Sequence, residues 1–165
     1  MALYAINNQM SGTPQSTSSS YKTQILAYAA TGATTARRGW IWELEIGATD
    51  VPNSTDCPIN WLLGITTTAG TGGTATTPIP VDTGAGDAAA LLTYLTDHQT
   101  TEPTYTANSS VFFIGLNQRA SQRWQAKDKS SCLIIAAGTN LKGIGGCCKS
   151  PNYASTVGMH WFIEE

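Results

Sequence analysis

RRGWIWELEIG, residues 37–47, is the stretch on which the fold turns. Trp40, Trp42, Leu44 and Ile46 fall on one face and Glu43 and Glu45 on the other, and this period of two marks a half-buried β-strand. INWLLGIT (59–66) repeats the pattern through Ile59, Trp61, Leu63 and Ile65, after a turn segment rich in Asp, Asn and Pro at 48–58. The closing STVGMHWFIEE (155–165) alternates through Val157, Met159, Trp161 and Ile163.

Working outward, ALYAI and YKTQILAYA are short apolar runs separated by SGTPQSTSSS (11–20), a polar, turn-rich tract that reads as a loop or a movable N-terminal arm. The chain thus divides into an N-terminal strand and polar arm, 1–20, and a single β-sandwich domain, 21–165. The Gly- and Thr-rich stretch 66–82 reads as a flexible hairpin whose prolines favour an edge or extended course for residues 78–81. GDAAALLTYL (86–95) is the one helical candidate, with Ala88, Leu91, Leu92 and Leu95 on one side and Asp82 or Asp87 near its start. VFFIGLNQRASQRWQA (111–126) reads as one long bent strand or two strands, with Gly115 as a bulge. Adding SCLIIAAG and NLKGIGG gives roughly eight to ten short strands and one helix, the pattern of an all-β antiparallel sandwich or barrel.

Charged residues make up 12% of the 165-residue chain, about half the usual share, so its surface is unusually neutral and cheap to desolvate against a partner. A net charge of −2 gives no field for gripping a phosphate backbone, which argues against nucleic acid as a partner. No run approaches the length of a membrane-spanning segment and the N-terminus lacks the pattern of a signal peptide, so neither a membrane nor export is expected. Cys57, Cys132, Cys147 and Cys148 lack C-x-x-C spacing, and His98 and His160 are distant from them in sequence, so the cysteines read as buried thiols and no metal or cofactor is expected. Cys147 and Cys148 point to opposite faces if extended.

Nucleophile elbows, zinc-protease helices and phosphate loops have no counterpart in the sequence, and AGTGGT (69–74) runs into TATTP (74–78) where a phosphate loop would run into a helix. Asp97 beside His98 could join one of the many serines in a triad, but such pairs arise by chance. No catalytic residue is assigned.

The positive charge is concentrated instead. Arg37, Arg38, Arg119 and Arg123 are four of nine cationic residues and occupy two sites. In an extended segment Arg119, Ser121 and Arg123 share a face, with Ala120, Gln122 and Trp124 opposite. Three readings are open: salt bridges within the chain to Glu43, Glu45 or Asp128; contact with a neighbouring subunit or an acidic partner; or base stacking by Trp124 flanked by phosphate contacts, which the acidic total disfavours. The subunit or capsid interface expected on the second reading comprises Arg37, Arg38, Arg119, Arg123 and Trp124.

Taken together, NNQ at 7–9, YKT at 21–23, RRG at 37–39, EPT at 102–104, LNQRAS at 116–121, RW at 123–124 and FIEE at 162–165 give a sequence that resembles the head decoration, or cement, proteins of tailed bacteriophages, small structural proteins encoded beside the major capsid gene. The resemblance spans most of the chain. It implies a jelly-roll-like β-sandwich that is made in the host cytoplasm, forms a homotrimer and binds the major capsid protein on the outside of an icosahedral head. A carbohydrate- or receptor-binding sandwich on a phage tail or fibre is the alternative, with the five tryptophans as sugar-stacking faces, although their alternation with core positions places most of them inside.

Overall fold

In the computed structural model, which describes residues 2–10, 15–29, 38–82, 89–98, 100–137 and 142–165, the chain runs through twelve strands. They are β1 (Leu3–Asn7), β2 (Lys22–Tyr28), β3 (Gly39–Ala48), β4 (Pro58–Thr66), β5 (Thr74–Ala75), β6 (Ile79–Pro80), β7 (Thr93–Thr96), β8 (Tyr105–Asn117), β9 (Ser121–Gln125), β10 (Leu133–Ile135), β11 (Gly143–Lys149) and β12 (Val157–Glu164). Two six-stranded sheets form. One has the order β10-β3-β12-β1-β6, with β9 also on β3, and the other the order β5-β7-β2-β11-β4-β8. Every pairing is antiparallel.

The order is that of a jelly roll. β1, β12, β3 and the β9/β10 pair form one four-stranded half, β2, β11, β4 and β8 the other, and the chain alternates between them as two wound Greek keys do. β5, β6 and β7 all come from the segment between β4 and β8, and they widen both sheets on the side of β1 and β2. β9 and β10 lie on the same side of β3, opposite Glu43–Gly47 and Gly39–Ile41, and amount to one strand interrupted by an excursion through a 3-10 turn at Lys129–Ser131. Asp128 caps that turn, its carboxylate accepting from the amides of Ser130 and Ser131.

The core lies between the sheets. β12 supplies Val157, Met159, Trp161 and Ile163 with the alternation read from the sequence, and β4 supplies Ile59, Trp61 and Leu63 from the other side. Cys148 packs in this core, while Cys147, on the opposite face of β11, lies beside Tyr105. Tyr105 crosses the outside of its sheet over Gly64 and Gly145, where any Cβ would collide with its ring, and its hydroxyl meets Thr23 Oγ1 at 2.8 Å. Gln15–Ser18 is fastened to the body: Gln24 Nε2 donates to the Gln15 carbonyl, Gln15 Nε2 to Glu102 Oε1, and the Thr17 amide to the Ser155 carbonyl. The rest of the expected arm, 11–14, lies outside the described residues.

Three expectations need correction. The helix expected at 86–95 is not formed over its described residues: Thr93–Thr96 is strand β7, paired with β2, and Gly86–Ala88 lies outside the described residues. Leu92, Tyr94 and Thr96 are buried and alternate with half-exposed Thr93 and Leu95, so sheet pairing overrides the helix-like spacing of the leucines. The strand at 39–48 does not keep one phase either. Phe162 stands opposite Glu43 and Ile163 opposite Ile41, which leaves Trp42 as an extra residue in a β-bulge. Ile41, Leu44 and Ile46 therefore enter the core, while Trp40 and Trp42 stand half-buried on the outer face. In β8 the register shifts fall at Val111 and N-terminal to it, and Gly115 sits in regular pairing with Asn60.

Candidate functional site

The bulge decides what the outer face of the first sheet carries. An extra residue at Trp42 turns two consecutive side chains, Trp42 and Glu43, away from the core, and around them gather residues from β9, β12 and the 3-10 turn. Arg123 of β9 lies directly across from Glu45 but bonds mainly to the diagonal Glu43: Nε approaches Oε1 at 2.7 Å and Nη2 approaches Oε2 at 2.8 Å, with Glu45 Oε1 at 3.6 Å from Nε. Such a two-point fork fixes the guanidinium in orientation as well as position. The hydrogen bonds and charge of Glu43 push the guanidinium pKa up further from its already high value.

Glu164 organises the other half of the face. Its Oε2 accepts from Trp42 Nε1 at 2.7 Å and its Oε1 pairs with Lys129 Nζ at 2.7 Å, while the same ammonium lies 4.0 Å from the centre of the Trp40 ring. The hydrogen bond from Lys129, helped by that from Trp42, holds the Glu164 carboxyl below its ordinary range. Beside this group the rings of His160 and Phe162 meet at a tilt of 40° with their centres 4.6 Å apart.

Two shallow depressions lie on the face and share Arg123. One, of about 490 Å³, is bounded by Leu3, Trp42, Glu43, Phe162 and Glu164. The other, of about 500 Å³, is floored by Gly47 and Gly158, which stand opposite each other on β3 and β12 and leave bare backbone between Asn7, Gln9, Gln122 and His160. This face can present fixed aromatic rings, one guanidinium and an array of amides to a partner.

The remaining expected site residues are dispersed. Residues Asn117–Ala120 form a turn at the corner where β8 of one sheet passes to β9 of the other, so Arg119 does not share a face with Arg123. Arg119 instead binds Asp56 at 3.0 Å and the Asn53 carbonyl at 2.9 Å, and its hydrogen bond holds the Asp56 carboxyl below the usual range. Buried Gln118 fastens the same loop through the carbonyls of Asn53 and Thr55. Trp124, opposite Leu44, turns toward the core and meets Phe112 of the other sheet with ring centres 6.4 Å apart. Arg38 is exposed just before β3, and Arg37 lies outside the described residues. Of the carboxylates named as salt-bridge partners, Glu43 and Glu45 meet Arg123, whereas Asp128 is spent as a cap.

His98 is 1% exposed, and burial pulls its pKa below the ordinary histidine value. Neither ring nitrogen makes a well-formed hydrogen bond, so no serine is engaged by it, and Asp97 accepts from the Gln15 amide. Among the described residues no three His, Cys, Asp or Glu side chains converge as a metal site would require, and no helix is long and apolar enough to cross a membrane.

The convergence of Trp40, Trp42, Lys129 and Glu164 had no sequence signal, because it depends on a bulge and on three segments distant in the chain. Comparison with family models, with curated proteins and with solved structures finds no match to this chain.

Proposed function

We propose that the protein is a capsid decoration, or cement, protein that binds the major capsid protein on the outside of an icosahedral phage head as a homotrimer, with no cofactor and no catalysis. The observation that carries the reading is the outer face of the first sheet, where Trp40, Trp42 and Arg123 are held in place by Glu43, Glu164 and Lys129. Aromatic and arginine side chains supply most of the energy of protein interfaces, and side chains already fixed lose little freedom on docking. The low charge of the remaining surface keeps desolvation cheap, and three such footholds on one trimer combine through effective concentration. A jelly roll serves capsid proteins, lectins and enzymes alike, so the fold agrees with this function without selecting it. The reading is the one that the resemblance drawn from the sequence implies.

The test is biochemical. Purified particles should carry the chain at a fixed ratio to the capsid protein, and particles lacking it should burst at lower temperature. Trp42→Ala combined with Arg123→Ala should abolish re-binding to stripped particles, and equal robustness with and without the protein would overturn the proposal.

A second reading, a carbohydrate- or receptor-binding sandwich of a tail or fibre, gains from the bulge, which places Trp40 and Trp42 with Phe162 at the surface beside carboxylates and amides. Quenching or shifting of tryptophan fluorescence by a glycan, lost in Trp42→Ala, would favour it over capsid binding.

A further inference from the structure

The four outer edges of the two sheets are not alike. β5 and β6 are two residues long, and β6 ends in Pro80; β10 has three residues, and β9 carries Arg123. Shortness, proline and charge are the devices by which sheets keep their edges from pairing with other chains. β8 has none of these three, and the other such device, a bulge, interrupts it only at Val111 and N-terminal to it. It is thirteen residues long, it ends its sheet with no described strand beyond it, and YTANSSVFFIGLN contains neither a charge nor a proline.

Its side chains complete the picture. Phe112, Ile114 and Leu116 point inward and pack on the core, while Phe113 on the opposite face is 60% exposed beside half-exposed Leu62. Val111 is 42% exposed, and the register shift there confines the regular part of the edge to residues 112–117, paired without interruption to Leu63–Pro58. An apolar, backbone-open strand of this kind is a template for strand addition.

We propose that β8 pairs antiparallel with β8 of a second copy of this chain, joining the β8-bearing sheets of the two copies edge to edge about a two-fold axis. A two-fold contact presents the same patch on both sides, so it must be self-complementary. A strand with no charge meets no like charge when it faces itself, its unpaired amides and carbonyls supply each other's partners, and Phe113 and Val111 of the two copies bury one another's exposed surface. A charged or proline-bearing segment of another protein would find nothing on this edge to answer it. The contact does not depend on the decoration reading: it joins single copies or, where trimers form, neighbouring trimers.

Sedimentation velocity and light scattering of the purified chain over a range of concentrations test this. The mass should double with concentration, and Phe113→Lys should weaken the doubling by about tenfold or more, since lysine on an edge strand both removes apolar burial and sets like charges opposite each other. Val111→Lys provides a second variant at a bulged, exposed position, with circular dichroism as the check on folding. Trp42→Ala, on the other sheet, should leave the doubling intact. Hydrogen exchange should show amides of 112–117 more protected at high concentration than at low. A mass that does not change with concentration, or doubling that neither lysine substitution weakens, would overturn the proposal.

Discussion

Glu43 holds Arg123 with both of its oxygens, at 2.7 and 2.8 Å, although Glu43 is 8% exposed and Arg123 60% exposed. The carboxylate is the buried partner, so it bears the consequence when the pair is broken. Arg123→Ala should lower the thermal midpoint, Arg123→Lys should lower it less, and Glu43→Gln in the Arg123→Ala background should recover part of the loss. Thermal melts at low and high salt test the order, and an unchanged midpoint in Arg123→Ala would refute it.

Acid should destabilise the fold in two stages. Burial lowers the His98 pKa in the folded state, so the unfolded chain binds the extra proton first and stability begins to fall as the pH drops below the ordinary value of 6.5. Glu164 is held below its ordinary 4.5, so its contribution is complete above that value and is lost as the pH falls through the lower, folded value. Asp56 and Asp128, also lowered, act in the same direction as Glu164. Denaturant midpoints measured across pH should show both stages, with His98→Gln removing the upper and Glu164→Gln reducing the lower. Trp42, bonded to Glu164, should report the second stage by a change in fluorescence.

Gly146 has no room for a side chain. A Cβ there would run into Met159 Sδ and come within 2.6 Å of Trp161 Cζ2. Gly146→Ala should cost about 1–3 kcal/mol through overpacking. Gly115→Ala, whose only close neighbour is Asn60 Oδ1 at 3.1 Å, should be nearly neutral in the same denaturant titration.

All four cysteines are free and buried, and burial pushes the Cys147 thiol up to about 12. The thiolate is the reactive species, so iodoacetamide at about pH 8 should leave the mass of the folded chain unchanged and add to every cysteine once guanidinium unfolds it. Rapid modification of the native protein would contradict the placement of these side chains.

Strands that keep a steady period were legible in the sequence, and β12 with Val157, Met159, Trp161 and Ile163 is the clearest. β3 was legible as a strand but not in its phase, because a single extra residue at Trp42 is invisible to a count of alternation. The Ala- and Leu-rich segment 86–95 mimics a helix because Leu91, Leu92 and Leu95 satisfy helical spacing, while the pairing of Thr93–Thr96 with β2 depends on a partner more than sixty positions away in the chain. Glu43 stood in the sequence as one of three carboxylates open to the arginines, and its pairing with Arg123 was not singled out there. The meeting of Lys129, Trp40, Trp42 and Glu164 was not legible at all, since it needs the strand order as well as residue chemistry.

Leu3 pairs with Glu164 and Asn7 with His160, so the seam between β1 and β12 runs through the middle of its sheet and joins segments at opposite ends of the sequence. During synthesis β1 and β3 both emerge before β12, the strand that belongs between them, and must wait for it. Loop closure over so long a stretch makes folding slow, and it makes β12, translated well after both of its neighbours, the keystone of the sheet. A ribosomal product cut short before β12 would therefore be missing the centre of its sheet, a defect that leaves apolar surface open to chaperones and proteases and keeps aborted chains out of any assembly.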